Sequence, residues 1–388
     1  MSFSRLSFGL SLCLLLSLGG DSAFFAALGE RLNANGPGEV PHSRLVNDTA
    51  RFLAGMPGIP GSPFAALEQT EGWQDHRRQL DSAWQHADAE LLSGFRKFQA
   101  EELSKPALQS RTVFYPFSGP DTLTLTSYFP HNPLYVMVAL EPAGTLPTIE
   151  EISKKNLPAY LGAMRETTAS ELGRSFFVTR QMDKQFRGQV TDGLLVPILK
   201  LLVRTGHTIL GYRYVRLDDA GRIIPRAADY HAPTRYGNKG LEIDFQTVAD
   251  SSVHKLFYFT VNLANDRLQE DVPFQMYLSR LKDTVSMLKA TSYMPHNPGF
   301  SMIRQALLAN SYAILQDDTG LPYKSFISGQ WKVQLYGDYE KPYGSFGYME
   351  QSDLREAYDA GGAKPLPMHV GYGYRKITSN LLLAIRQK

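Results

Sequence analysis

Thr112-Val113-Phe114-Tyr115-Pro116-Phe117-Ser118-Gly119-Pro120-Asp121 is the stretch whose reading decides the fold. Its first half is an apolar, aromatic and β-branched run with the composition of a buried strand. Its second half is a turn, because proline fixes φ and glycine frees it. Asp121 to Tyr128 alternates Thr and Leu, and reads as a short helix or a further strand. Leu134-Tyr135-Val136-Met137-Val138-Ala139-Leu140 is a second apolar run, closed by Glu141-Pro142-Ala143-Gly144. Two strands apolar enough to be buried on both faces are expected at the centre of a largely parallel sheet. Their connection is short for a parallel crossover, so antiparallel pairing stays open.

Downstream, strand patterns alternate with helix patterns. Helices are expected at 148–168, 194–203, 273–288, 300–309 and 352–360, the last stopped by Gly361-Gly362. Strands are expected at Ser175–Thr179, on both sides of the turn Asp218-Asp219-Ala220-Gly221, and at 241–245, 256–261, 312–315 and 331–336. This alternation predicts an α/β fold: a mixed, largely parallel Rossmann-like sheet with flanking helices.

Upstream lies a helical preface. Ser43 to Met56 reads as a short helix stopped by Pro57-Gly58-Ile59-Pro60-Gly61-Ser62-Pro63. A long helix over about 72–103 carries Leu80, Trp84, Ala87, Leu91, Phe95 and Phe98 on one face, a stripe suited to packing on the body or to a partner. Met1 to Arg5 is positively charged, Leu6 to Leu18 is apolar, and small residues follow at Gly19-Gly20 and Ser22-Ala23. That is the layout of a secretory signal peptide, too short for a permanent span. The expected organisation is therefore a signal peptide (1–23), a helical N-terminal region (24–105) and an α/β body (106–388). The expected location is periplasmic or secreted, with no stable membrane span after leader removal. Cys13, the only cysteine, lies in the leader, so the mature chain would carry no thiol for disulfides, zinc or nucleophilic catalysis. Forty Lys and Arg against 38 Asp and Glu argue against a nucleic-acid partner, which needs a concentrated basic surface.

Chemistry concentrates after the first strand. Ser118 and Gly119 stand where a strand meets a possible helix, a place that favours anions, with Asp121 beside them. Glu141 ends the next strand, where nucleotide-binding α/β folds hold a ribose. Ser118, Gly119, Asp121 and Glu141 are thus the candidate ligand-binding residues. Ser118 is also a candidate nucleophile, with His131, His296 or His254 as base and Asp121 or Asp318 to orient it. The Gly-x-Ser-x-Gly elbow is not met, since Pro116 and Pro120 replace its glycines. Alternatively, Ser118 caps a helix beginning at Pro120. Thr126-Ser127-Tyr128-Phe129-Pro130-His131-Asn132-Pro133 recurs, with seven of eight residues identical, as Thr291-Ser292-Tyr293-Met294-Pro295-His296-Asn297-Pro298. The two copies are either rigid turns or a paired His131/His296 site. Asp218-Asp219 and Asp317-Asp318 read as hairpin turns, because neither completes a calcium loop. His231 and His369 read as loop or packing residues. No metal site and no cofactor is indicated.

In outline, the strand, the Ser-Gly turn and Glu141 resemble the first motif of Rossmann-type methyltransferases, with one glycine where that motif has two or three. Tyr115-Pro116-Phe117-Ser118-Gly119-Pro120-Asp121, Leu315-Gln316-Asp317-Asp318-Thr319-Gly320 and Ser379-Asn380-Leu381-Leu382-Leu383-Ala384 are similar to a family of exported bacterial proteins with no assigned activity. That resemblance runs from about Ala54 to the end. It implies export and a single unit, and brings no catalytic residues. The expected function is a ligand-binding or structural envelope protein acting on a small molecule or an envelope component; the alternative is a hydrolase using Ser118. Mass spectrometry of the protein recovered from the cell envelope is expected to give an N-terminus between Gly20 and Leu28; an intact Met1 or Ser2 end would overturn the expected leader cleavage.

Overall fold

The strands formed by the two apolar runs, Val113–Pro116 and Leu134–Ala139, are buried on both faces, as their composition requires. The computed structural model describes residues 43–172, 192–227, 239–249, 251–342, 344–373 and 379–387. The leader, residues 24–42, the strand expected at Ser175–Thr179 and His231 lie outside these residues. Ten strands form one sheet: β1 (Val113–Pro116), β2 (Leu134–Ala139), β3 (His207–Leu217), β4 (Ile223–Pro225), β5 (Gly240–Thr247), β6 (Val253–Thr260), β7 (Thr284–Leu288), β8 (Ser311–Gln316), β9 (Trp331–Gly337) and β10 (Asn380–Arg386). Their order is β4-β3-β5-β6-β2-β1-β7-β8-β10-β9.

The five strands β6, β2, β1, β7 and β8 are mutually parallel. Counted along the chain among themselves, they stand in the order third, second, first, fourth, fifth. That is the doubly wound Rossmann-like arrangement, whose switch point falls between β1 and β7. Antiparallel strands complete both edges, β5, β3 and β4 on one side and β10 on the other; β9 pairs antiparallel to β10. The parallel pairing of β1 with β2 settles the alternative left open by the short connection. Asp121 to Tyr128 supplies the crossover as the helix Thr122–Tyr128.

Alternate strand residues feed two cores. Tyr115, Tyr135, Met137 and Met287 face one, Phe114, Val136 and Val138 the other. The first core is covered by the helices Thr122–Tyr128 and Leu195–Arg204 and by the N-terminal helical region. The second is covered by Val272–Arg280, Ser301–Asn310 and Ser352–Asp359. The segment 273–288, expected as one helix, divides into the helix Val272–Arg280 and the central strand β7. Asp218 does form a hairpin turn between β3 and β4, accepting from the Ala220 and Arg222 N–H groups. Asp317 and Asp318 instead follow β8 and lead into a long connection rather than a hairpin.

Helical structure runs from Glu71 to Leu103, α-helical with two π-helical stretches at Asp88–Leu92 and Gln99–Leu103. Its stripe docks onto the body. Phe95 and Phe98 are fully buried and set their rings against Tyr128 at 5.0 and 5.6 Å, and Phe98 meets Tyr336 edge-on at 5.0 Å. Trp84 is only half-buried, with the Arg204 guanidinium 6.0 Å from its ring. Phe95→Ala is therefore expected to cost about 3–5 kcal/mol in urea unfolding, and Trp84→Ala clearly less. Equal losses at the two positions would contradict this packing.

Candidate functional site

At the carboxyl ends of β1, β2, β6 and β7 the sheet opens into a cavity of about 800 Å³. Parallel strands bring this about: every loop leaving a parallel strand emerges on the same edge, and the switch point separates the loops after β1 and β7. Ser118, Gly119, Asp121 and Glu141 all line the cavity, so the structure brings together the four candidate ligand-binding residues. Val138 carbonyl oxygen accepts from the Ser118 N–H at 3.0 Å, which pins the β1 turn to β2. The Glu141 carbonyl accepts from the Tyr258 hydroxyl and from Thr260 Oγ1 at 2.8 Å, which fixes the end of β2 against β6.

Asp121, not Ser118, caps the helix after β1. Its Oδ1 accepts from the Thr124 N–H at 3.0 Å, and its Oδ2 accepts from the Tyr115 hydroxyl at 2.9 Å. Oδ2 also meets Lys289 Nζ at 2.6 Å, and Lys289 donates to Thr124 Oγ1 at 2.6 Å. Both charged side chains are almost wholly buried. Lys289 follows β7, so this pair spans the switch point. The sequence reading missed it, because a lysine after an apolar run carries no sign of a carboxylate distant in the chain.

The hydrolase arrangement is not assembled. The Ser118 hydroxyl donates to the Gly119 and Val138 carbonyls, at 3.0 and 3.3 Å. Among the described residues, no histidine lines the cavity. His131 is exposed and precedes β2, on the sheet edge opposite Ser118. His254 is the second residue of β6, on that same far edge, and its ring bonds the Asn132 carbonyl at 2.8 Å. His296 follows β7 on the near edge but lies outside the cavity lining. Burial lowers its pKa to about 4, so it is neutral at neutral pH. The two Pro-His-Asn-Pro turns thus sit at opposite ends of parallel strands, and the paired His131/His296 site falls.

The loop after β7 is strained. Ala290, Ser292 and Tyr293 have φ of 52°, 55° and 56°, and across the cavity Phe117 has 60°. Left-handed backbone costs a residue with a side chain roughly 1–2 kcal/mol. Neighbouring side chains hold the loop in place. Asp317 accepts from the Ala290 N–H at 2.8 Å, Thr291 bonds Thr319, and the Tyr372 hydroxyl donates to the Ala290 carbonyl at 2.9 Å. Burial, and next the charge of Asp318, push the Asp317 carboxyl up to about 7. Asp318 accepts from the Tyr293 hydroxyl and from the Asn380 amide.

No protein family, characterised protein or solved structure matches the chain. No group of three or more His, Cys, Asp or Glu among the described residues is placed to hold a metal ion. Breaking the buried pair strands a charge, so Lys289→Met is expected to cost about 3–5 kcal/mol. Adding Asp121→Asn should recover part of that loss in chemical denaturation. A Lys289→Met protein as stable as the parent would show that the pair does not hold the switch point.

Proposed function

We propose that the chain is an envelope ligand-binding protein whose cavity takes a ribosyl compound free of phosphate, such as a nucleoside. The position of Glu141 carries this reading. It stands two residues beyond the end of β2, the strand next to β1, on the cavity lining, where a carboxylate can accept both hydroxyls of a vicinal diol. The Rossmann-like strand order supports it, as does the antiparallel β10 inserted before β9 at the far edge; both resemble the sheet of Rossmann-type methyltransferases. A fold does not name a reaction, so the proposal stops at binding.

Charge decides against phosphate. In dinucleotide-binding sheets the pyrophosphate sits on the first helix N-terminus. Here the Asp121 carboxylate caps that helix and takes the Thr124 N–H. Lys289, the one cationic side chain lining the cavity among the described residues, is matched to the same carboxylate. A phosphate would therefore compete with the Asp121 carboxylate both for that helix start and for Lys289.

Calorimetry with adenosine, AMP and NAD tests this. Adenosine is expected to bind and the two phosphorylated compounds to bind far more weakly. Glu141→Gln should weaken adenosine about tenfold or more, the worth of a hydrogen bond to a charged group. Tighter binding of AMP than of adenosine, or an unaffected Glu141→Gln variant, would overturn the reading.

A further inference from the structure

The strained loop after β7 is gripped by the loop after β8. Asp317 Oδ2 accepts from the Ala290 N–H at 2.8 Å, while Oδ1 accepts from the Thr319 N–H at 3.0 Å and from Thr319 Oγ1 at 2.5 Å. Thr319 Oγ1 in turn accepts from the Thr291 N–H at 2.8 Å, and Asp318 accepts from the Tyr293 hydroxyl. Ala290, Thr291 and Ser292 line the cavity, so releasing this grip would move one of its walls. Asp317 is 3 % exposed, and Gly371 packs so close that a Cβ there would stand 2.7 Å from Oδ2. Among the described residues, no lysine, arginine or histidine forms an ion pair with Asp317 or Asp318. Lys289, next to Ala290, is matched to Asp121, and Arg304 and Lys324 act on His296. The groups that face the two carboxylates are phenols. Tyr115 of β1, Tyr128 of the helix after it, Tyr293 and Tyr372 feel the charge of Asp317, and Tyr339 and Tyr358 that of Asp318. All six are held above the ordinary phenol value and stay neutral at neutral pH, as does His296 beside Tyr293.

We propose that Asp317, with Asp318 beside it, is a proton-operated clasp on the cavity wall: protonated, it keeps the β7 loop in place, and ionised, it lets that loop open to water. The proposal rests on the cavity being a ligand site, not on which ligand enters. Solvation is the physical reason. In the closed clasp an ionised Asp317 stands buried beside a second carboxylate with no cation, whereas in an opened loop water solvates it. A protonated Asp317 can donate from Oδ1 to the Thr319 hydroxyl oxygen and still accept from Ala290 at Oδ2. The proton comes from solvent and returns to it. It is held more firmly closed than open, at about 7 against the ordinary carboxylate value of 3.8. By linkage the closed clasp is most favoured in acid. Its closing equilibrium falls by up to about tenfold per pH unit between those two values and levels off above the higher one.

Hydrogen–deuterium exchange of the full chain at a series of pH values tests it, with each rate divided by the intrinsic rate at that pH. Protection of the peptide carrying Ala290 and Thr291 is expected to fall about tenfold or more from roughly pH 5 to roughly pH 7 and then to level off. The β2 peptide should hold its protection across the same range. Asp317→Asn should abolish the pH dependence. Asp318→Asn removes the neighbouring charge, so Asp317 gives up its proton more readily and the levelling-off should move to lower pH. Saturating adenosine should slow the same peptide further, because its residues line the cavity. Protection that is flat with pH in the parent chain would overturn the clasp, a result that needs no variant to fold. So would the parent's profile persisting in a folded Asp317→Asn variant, or an unmoved levelling-off in Asp318→Asn. An Asp317-dependent profile that adenosine leaves unchanged would support the clasp and remove the nucleoside reading alone.

Discussion

The buried ion pair between Asp121 and Lys289 is the constraint on which the site depends. Two charges taken out of water are tolerable only when each is matched and its remaining hydrogen-bonding capacity is used. Here one carboxylate takes the Thr124 N–H, the Tyr115 hydroxyl and the Lys289 ammonium, while that ammonium also reaches Thr124 Oγ1. These bonds tie together β1, the helix that follows it and the end of β7. They fix the width of the switch point, and they also fix its chemistry. The helix start that would welcome an anion is occupied from within by an anion of the protein's own, and the nearby cation is spent on it.

How much of this was legible in the sequence depends on how local the signal was. β1 and β2 were readable because strands buried on both faces must be apolar throughout, and the runs at 113–117 and 134–140 are. The common edge of Ser118 and Glu141 followed, since residues just past neighbouring parallel strands are carried to the same side of the sheet. β7 was hidden by its own chemistry. Thr284 and Ser286 are buried in a central strand, where Ser286 bonds Ser311 across to β8 at 2.7 Å, and two hydroxyls in five residues blur an apolar run. β10 was hidden by distance, because Asn380–Arg386 becomes a strand only by inserting between β8 and β9. Lys289 was silent for the same reason as β10: its meaning lies in its partner.

The repeated Thr-Ser-Tyr-x-Pro-His-Asn-Pro string shows how little a sequence echo says about place. In the first copy the Asn132 amide is buried and donates to the Leu108 and Arg111 carbonyls, clamping the entry to β2. In the second, Asn297 accepts from the Gly299 N–H at 2.8 Å and the Arg304 guanidinium holds the Pro295 carbonyl, closing the exit from β7. Each copy is a rigid turn built from proline and asparagine. One turn enters a parallel strand and the other leaves one. Parallel strands therefore set the two histidines on opposite edges whatever their local likeness.

Local rules are broken where the cavity is. Six non-glycine residues among those described have positive φ, and Phe117, Ala290, Ser292 and Tyr293 cluster at or beside the cavity. Glycine would relieve each of them, and the chain does use glycine in the left-handed region next to one: Gly119, two residues after Phe117, has φ of 53°. A side chain kept at a position that disfavours it has to be held by its surroundings. At Ala290 that support is visible as bonds from Asp317 and Tyr372, and at Tyr293 as its hydroxyl bond to Asp318. At Phe117 the ring packs edge-on against Phe300 yet is only half-buried, with its remaining surface available to the cavity. Conflict between local preference and overall fold thus gathers at one cavity, where the surrounding contacts keep a backbone that local preference alone would have removed.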